Sequence, residues 1–252
     1  MSRIAPLVFC TLFFVTSSSR IEAQQPPAGG STAPVNAWTR TVSVGLALTA
    51  GNKDTSTFNA GFEAVYDPKH RNLLKADGLF FRGKTGGELT ADRLGLNGRD
   101  EYKLNDGVFT FAQLQYLRDQ FKDIQYLVAP TAGLGYLLAE TPSTRASVDA
   151  GVGTVWERRR SQDNVQTSPV VNVNQKLTFK LSDSATITQV ASALHRLDNL
   201  SDALYTLNVV LGASVTTSTQ LKVELLDTFR NSVPPGIQKN DVAVLVGLVF
   251  RR

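Results

Sequence analysis

From Trp38 onward the chain alternates apolar and polar positions with a period of two, and no helical period competes with it. The last segment is the clearest case. Val242, Val244, Val246, Leu248 and Phe250 share one face, and Ala243, Leu245, Gly247 and Val249 share the other. The first segment repeats the pattern, with Val42, Val44, Leu46 and Leu48 set against Ser43, Gly45, Ala47 and Thr49. Segments of this kind predict strands at 38–50, 55–66, 73–83, 91–104, 108–119, 124–138, 144–157, 169–182, 185–197, 203–216, 219–231 and 241–250. Most are long for a soluble sheet and suit a tilted strand that crosses a bilayer. An even number of strands lets an antiparallel meander close with both chain ends on one side. The fold class expected is all-β, a closed antiparallel transmembrane β-barrel of about 12 strands in up-and-down order.

The predicted connections alternate as well. Tight Asn, Asp, Gly and Ser turns at 67–72, 105–107, 139–143, 183–184 and 217–218 face mostly longer loops at 84–90, 120–123, 158–168, 198–202 and 232–240. The first opposite turn, 51–54, is short.

Aromatic and charged residues sort by face. Trp38, Tyr66, Tyr102, Tyr136, Phe179 and Phe250 fall near one rim, and Phe58, Phe80, Tyr116, Tyr126, Trp156, Tyr205 and Phe229 near the other. All share the parity of the apolar face, as two bilayer interfaces require. The opposite parity carries Glu63, Lys75, Asp77, Arg93, Arg99, Glu101, Lys103, Arg145, Asp149, Lys176, Lys180, Lys222 and Glu224. So many charges are prohibitive in a dry sandwich core but tolerable in a wet or ion-paired lumen. Lys75, Arg93, Arg99 and Lys176 are expected to pair with acids such as Glu63, Asp77, Glu101 and Asp149. Two places resist the scheme: Gln175 falls on the apolar face, and 185–197 alternates too poorly to assign a side.

Upstream, a positive start, an apolar run over 5–15 and a small residue at Ala23 predict a cleaved signal peptide over 1–23, followed by a flexible lead-in at 24–37 and the barrel at 38–252. Cys10 lies inside the apolar run, so lipidation is not expected, and no thiol remains beyond it. Base exceeds acid by only 26 to 22 residues, spread out except for Arg158–Arg160, which argues against nucleic acid as a partner. The expected surroundings are outer-membrane lipid, with Arg158–Arg160 a candidate contact for lipopolysaccharide phosphate, and the barrel-assembly machinery during biogenesis. A monomer without a cofactor is expected.

The motifs Leu48–Thr55, Gly87–Leu94, Leu117–Phe121, Gly133–Tyr136 and Pro234–Asp241 run in order along the chain. Together they resemble those of the salt-induced outer-membrane protein family, domain of unknown function 481. The resemblance implies an outer-membrane β-barrel without an assigned biochemical role.

Candidate chemistry is sparse. His70 sits in a predicted turn, and His195 has Ser192 and Asp198 within three residues but Leu197, not Ser, two places on. A hydrolase at the outer rim is therefore the second reading, and a non-enzymatic narrow pore or structural barrel the first. Two histidines without cysteine are poor zinc-ligand material, and Asp119 with Asp123 lacks calcium-loop spacing.

Overall fold

The structure, a computed structural model, describes residues 37–49, 55–68 and 70–251. The expected signal peptide, all but the last residue of the expected lead-in and the predicted turn at 51–54 lie outside the described residues. The strands are β1 (Trp38–Thr49), β2 (Thr55–Tyr66), β3 (Asn72–Thr85), β4 (Glu88–Lys103), β5 (Val108–Asp119), β6 (Ile124–Glu140), β7 (Thr144–Arg159), β8 (Val165–Lys180), β9 (Ala185–Arg196), β10 (Ala203–Ser214), β11 (Thr219–Arg230) and β12 (Asn240–Arg251). Each pairs antiparallel with its sequence neighbours, and β1 pairs with β12 to close the barrel. Among the described residues no helix is long and apolar enough to cross a membrane. Strands carry the whole architecture.

The end of the barrel holding the start of β1 and the finish of β12 is called the terminal end here, and the opposite end the distal end. Terminal turns are closed by short polar side chains. The Asn105 carboxamide accepts from the Gly107 and Val108 amides at 2.9 and 2.8 Å, and the Thr141 and Thr216 hydroxyls accept from Thr144 and Thr219 at 2.9 and 3.0 Å. A side chain that mimics a backbone acceptor makes a tight turn cheap.

Strand boundaries depart from the pattern mainly at the distal end. The predicted loop 84–90 is a two-residue hairpin at Gly86 and Gly87, with φ of +60° and +84°. Two left-handed residues match the twist of the flanking strands, and only glycine adopts that pair without strain. Strand β8 likewise begins at Val165 rather than 169, which shortens the loop before it. The contrast between short and long connections therefore rests on 160–164, 197–202 and above all 231–239. Between β5 and β6 lies a 3-10 turn, Gln120–Lys122, capped by the Asp119 carboxylate on the Phe121 and Lys122 amides at 3.1 and 3.2 Å.

The facing of side chains follows the period of two. Val42, Val44, Leu96, Leu114, Leu134, Val152, Leu211, Val223 and Val244 point outward and are exposed, while Ser43, Asn59, Gln113, Thr131, Asn172 and Glu224 point inward and are buried. An apolar outer wall around a polar interior is the reverse of a soluble barrel and suits lipid. Strand β9 takes its facing from its neighbours. Its register sets Ser192 opposite Asn174 and Thr206, and Arg196 opposite Val170, so the even positions point inward. Gln175 stays outward, opposite Ala191. The longer β8 places it nearer the terminal end than midway.

Candidate functional site

Among the described residues, the barrel interior gathers most of the buried polar side chains. It is organised in two layers with an apolar cluster between the strands of the distal half.

The layer nearer the terminal end is built on β3 to β8. Pairing sets Lys75 directly opposite Arg99 and Glu63 opposite Asp77, like charges that would repel if left alone. Glu101, one inward position along β4 from Arg99, takes both cations: Lys75 Nζ lies 2.7 Å and Arg99 Nε 2.8 Å from its Oε1. The other side of the Arg99 guanidinium reaches Asp149 Oδ2 at 2.8 Å and Gln113 Oε1 at 2.7 Å. Its Cζ also lies 3.9 Å from the centre of the Phe111 ring. Phe109 and Phe111 have room because Gly135 and Gly151 stand beneath them. A Cβ at Gly135 would lie 2.1 Å from the Phe109 ring, and one at Gly151 would lie 2.8 Å from Phe111. Asp77 accepts from Asn97 at 3.0 Å. Glu63 and Lys176 share this layer's parity but make no ion pair with a described residue.

The distal layer is more deeply buried, and its main members were absent from the residues singled out by pattern. Glu157, with no exposed surface, accepts from Arg230 at 2.8 and 3.0 Å and from Arg196, with Arg159 Nε at 3.3 Å. Asp202 meets the same three guanidiniums at 2.9 Å (Arg159), 3.3 Å (Arg196) and 3.1 Å (Arg230). Arg196 also donates to the Ser168 hydroxyl at 2.9 Å. Three cations share two carboxylates, and only Arg159 Nε among their buried donors is left without a hydrogen bond. Arg159 is thus an interior residue, and the basic run 158–160 does not act as one outward patch. A signal existed for Glu157, which shares the parity of Asp149. Arg196 could not be read that way because its strand had no assignable face.

Further side chains bridge the lumen from wall to wall. Arg93 on β4 donates to Thr228 on β11 and lies 3.7 Å from Asp119, rather than meeting any of the acids expected for it. Lys122, whose side chain is fully buried, donates from the 3-10 turn to Gln238 O at 2.8 Å and pairs with Asp241 at 2.9 Å. Twelve strands about 4.8 Å apart and tilted by roughly 40° close into a round cylinder about 24 Å across at the backbone. Strands β4 and β11 stand five places apart, a chord of roughly 23 Å in such a cylinder. One arginine and one threonine side chain cannot span that. The barrel is therefore flattened where they meet. Apolar side chains fill much of the remaining distal interior: Leu117, Ile124, Leu127, Ala129, Val155, Val170 and Leu194, with Leu204 against them. A uniformly wet lumen is not what forms.

The hydrolase constellation is not assembled. His195 points outward, its Nε2 3.0 Å from the Tyr205 hydroxyl, while Ser192 points inward and donates to Asn172. The two sit on opposite faces of one strand. Among the described residues, no group of three His, Cys, Asp or Glu side chains converges on a metal-sized site.

The aromatic residues ring the outer wall. Trp38, Tyr102, Tyr136, Trp156 and Phe250 are exposed there, and Trp38 packs on Tyr66 with ring centres 5.0 Å apart. Phe80 lies 6.1 Å from Phe58, and Tyr116 stands between Leu96 and Val128 on the same face.

A family model described as "Protein of unknown function, DUF481" matches residues 42–251. No curated protein matches the sequence. Among solved structures, the chain is similar to the NanC porin at 12% identity, covering 84% of this chain and 98% of that one, with a TM-score of 0.54. It is also similar to the COG4313 outer membrane channel from Pseudomonas putida F1 at 14% identity, covering 91% and 100%, with a TM-score of 0.51. At these identities the likeness is one of fold, and the fold is that of outer-membrane barrels.

Proposed function

This chain belongs to the DUF481 family, and on that footing we propose that it is an outer-membrane barrel, not an enzyme, whose lumen is held shut or very narrow by ion pairs. A structural or envelope-stress role follows from a wall that spans the membrane without an open path. The terminal end faces the periplasm and the distal end the outside, since periplasmic turns are the shorter set in such barrels. That a porin and an outer-membrane channel share the fold supports the location.

The observation that carries the reading is the pair of contacts joining opposite walls, Arg93 to Thr228 and Lys122 to Asp241. Ions crossing the distal half would have to break these contacts and pass an apolar cluster, where water and charge are both disfavoured. Current through the purified barrel in a planar bilayer tests this. Little or no steady conductance is expected from the native chain, and a higher one from Arg93→Ala combined with Lys122→Ala. A large, steady conductance from the native barrel would refute the closed lumen. A His195→Ala chain should lose no activity, whereas a hydrolase would.

A further inference from the structure

The outward wall near the distal rim carries a patch that the lumen reading does not use. Arg82 and Lys84 lie on the outward face of β3, both exposed. Pairing places Arg82 between Phe58 on β2 and Asp92 on β4. Asp92 is the natural partner for Arg82 but is engaged elsewhere, with Arg118 Nη2 2.7 Å from its Oδ1. Neither Arg82 nor Lys84 forms an ion pair with a described residue, and both are exposed.

They do not stand on open polar surface. Arg82 and Lys84 form one side of a cleft of about 300 Å³ whose other walls are Leu46, Phe58, Ser56 and Thr57. Leu46 and Phe58 are exposed, and Phe80 stacks beside Phe58 one position deeper. Pairing sets Leu46, Phe58 and Arg82 side by side in one row, with Lys84 one outward position nearer the rim and Phe80 one position deeper. This order matches a lipid with an anionic head at the interface and hydrocarbon below it. A head without an anionic group would leave both cations unmatched.

We propose that Arg82, Lys84, Leu46 and Phe58 form a binding site for one phosphorylated lipid of the outer leaflet, with the lipid A part of lipopolysaccharide as its occupant. The guanidinium and ammonium groups take the phosphate, and Leu46 with Phe58 takes the upper part of an acyl chain. The proposal rests on the outward orientation given above for the distal end. It relocates the lipopolysaccharide contact from Arg158–Arg160, where Arg159 is tied into the interior.

The test is lipid retention by the purified full barrel in detergent, read by native mass spectrometry during titration with bis-phosphorylated lipid A. The native chain should hold one lipid. Arg82→Gln with Lys84→Gln should bind about tenfold more weakly or worse, as expected for losing charge-assisted contacts to phosphate. A control with the same charge change at the other rim, Arg40→Gln with Arg71→Gln, should bind as the native chain does. Dephosphorylated lipid should not be retained, and millimolar inorganic phosphate should not displace the bound lipid. Equal binding by the native chain and the Arg82/Lys84 variant overturns the site, and so does equal loss in the control. Retention of the dephosphorylated lipid, or displacement by free phosphate, overturns the assigned occupant. Folding of each variant is checked by the heat-dependent shift in gel mobility of a closed barrel. If the double variant fails that check, Lys84→Gln alone is read in its place, with a proportionate loss expected. This assay does not depend on conductance, so an open lumen would leave its outcome unchanged.

Discussion

Glu157→Gln is the sharpest probe of the distal interior. The substitution keeps the shape of the side chain and removes one negative charge from a position with no exposed surface. Arg230 exchanges two bonds to a carboxylate, at 2.8 and 3.0 Å, for at most one to a neutral amide oxygen, and Arg196 and Arg159 lose one ionic neighbour each. Removing one partner of a buried pair typically costs about 3–5 kcal/mol, because the remaining charge is left uncompensated. Solvent screening gives little relief, since Arg196, Arg230 and Asp202 keep only 8%, 3% and 5% of their side-chain surface exposed. Asp202 still meets all three guanidiniums, which sets the expected loss at the lower end, about 3 kcal/mol. Urea unfolding from lipid vesicles, followed by Trp fluorescence, measures it. Trp156 reports locally because it precedes Glu157 in the chain and lies on the outward face. A second variant, Glu157→Gln with Arg196→Gln, should cost at least about 1 kcal/mol less than the sum of the single changes, since the two share one contact. A single-variant loss below about 1 kcal/mol, or strict additivity, would mean that the cluster is hydrated and that its geometry contributes little.

Other expectations bear on facing and packing. Val209 is outward on β10 and Asn208 inward, where its amide donates to Glu224 at 2.8 Å. Val209→Arg should cost roughly 2–4 kcal/mol in a bilayer and Asn208→Arg much less. Spin labels at the two positions should be quenched by lipid-soluble and water-soluble agents respectively, and the reverse pattern would refute the facing. Gly135→Val would drive its side chain into the Phe109 ring, 2.1 Å from a Cβ at that position. Overpacking of that kind should cost about 1–3 kcal/mol in the same unfolding assay, and Phe109→Ala should restore part of it; no rescue would mean that the clash is with backbone instead.

Much of this barrel is legible from local information, and the part that is not has a common cause. The side toward which a strand residue points is decided by its own position, because successive side chains alternate across the pleat. Val42 to Leu46, Val242 to Phe250 and the two rims of aromatics can therefore be read from a single segment, and the count and order of strands follow with them. Where alternation is weak, as in 185–196, facing is settled by register against β8 and β10, and that requires the neighbours to be in place. The Gly86–Gly87 hairpin was within reach, since a Gly-Gly pair between alternating segments is a turn signal. The contents of the lumen were not. Arg93 meets Thr228 and Lys122 meets Asp241 across more than a hundred residues of chain, and only because the closed wall is flattened. Alternation places a charge inside but does not choose its partner. That choice depends on distances across the barrel, which exist only once β1 has met β12.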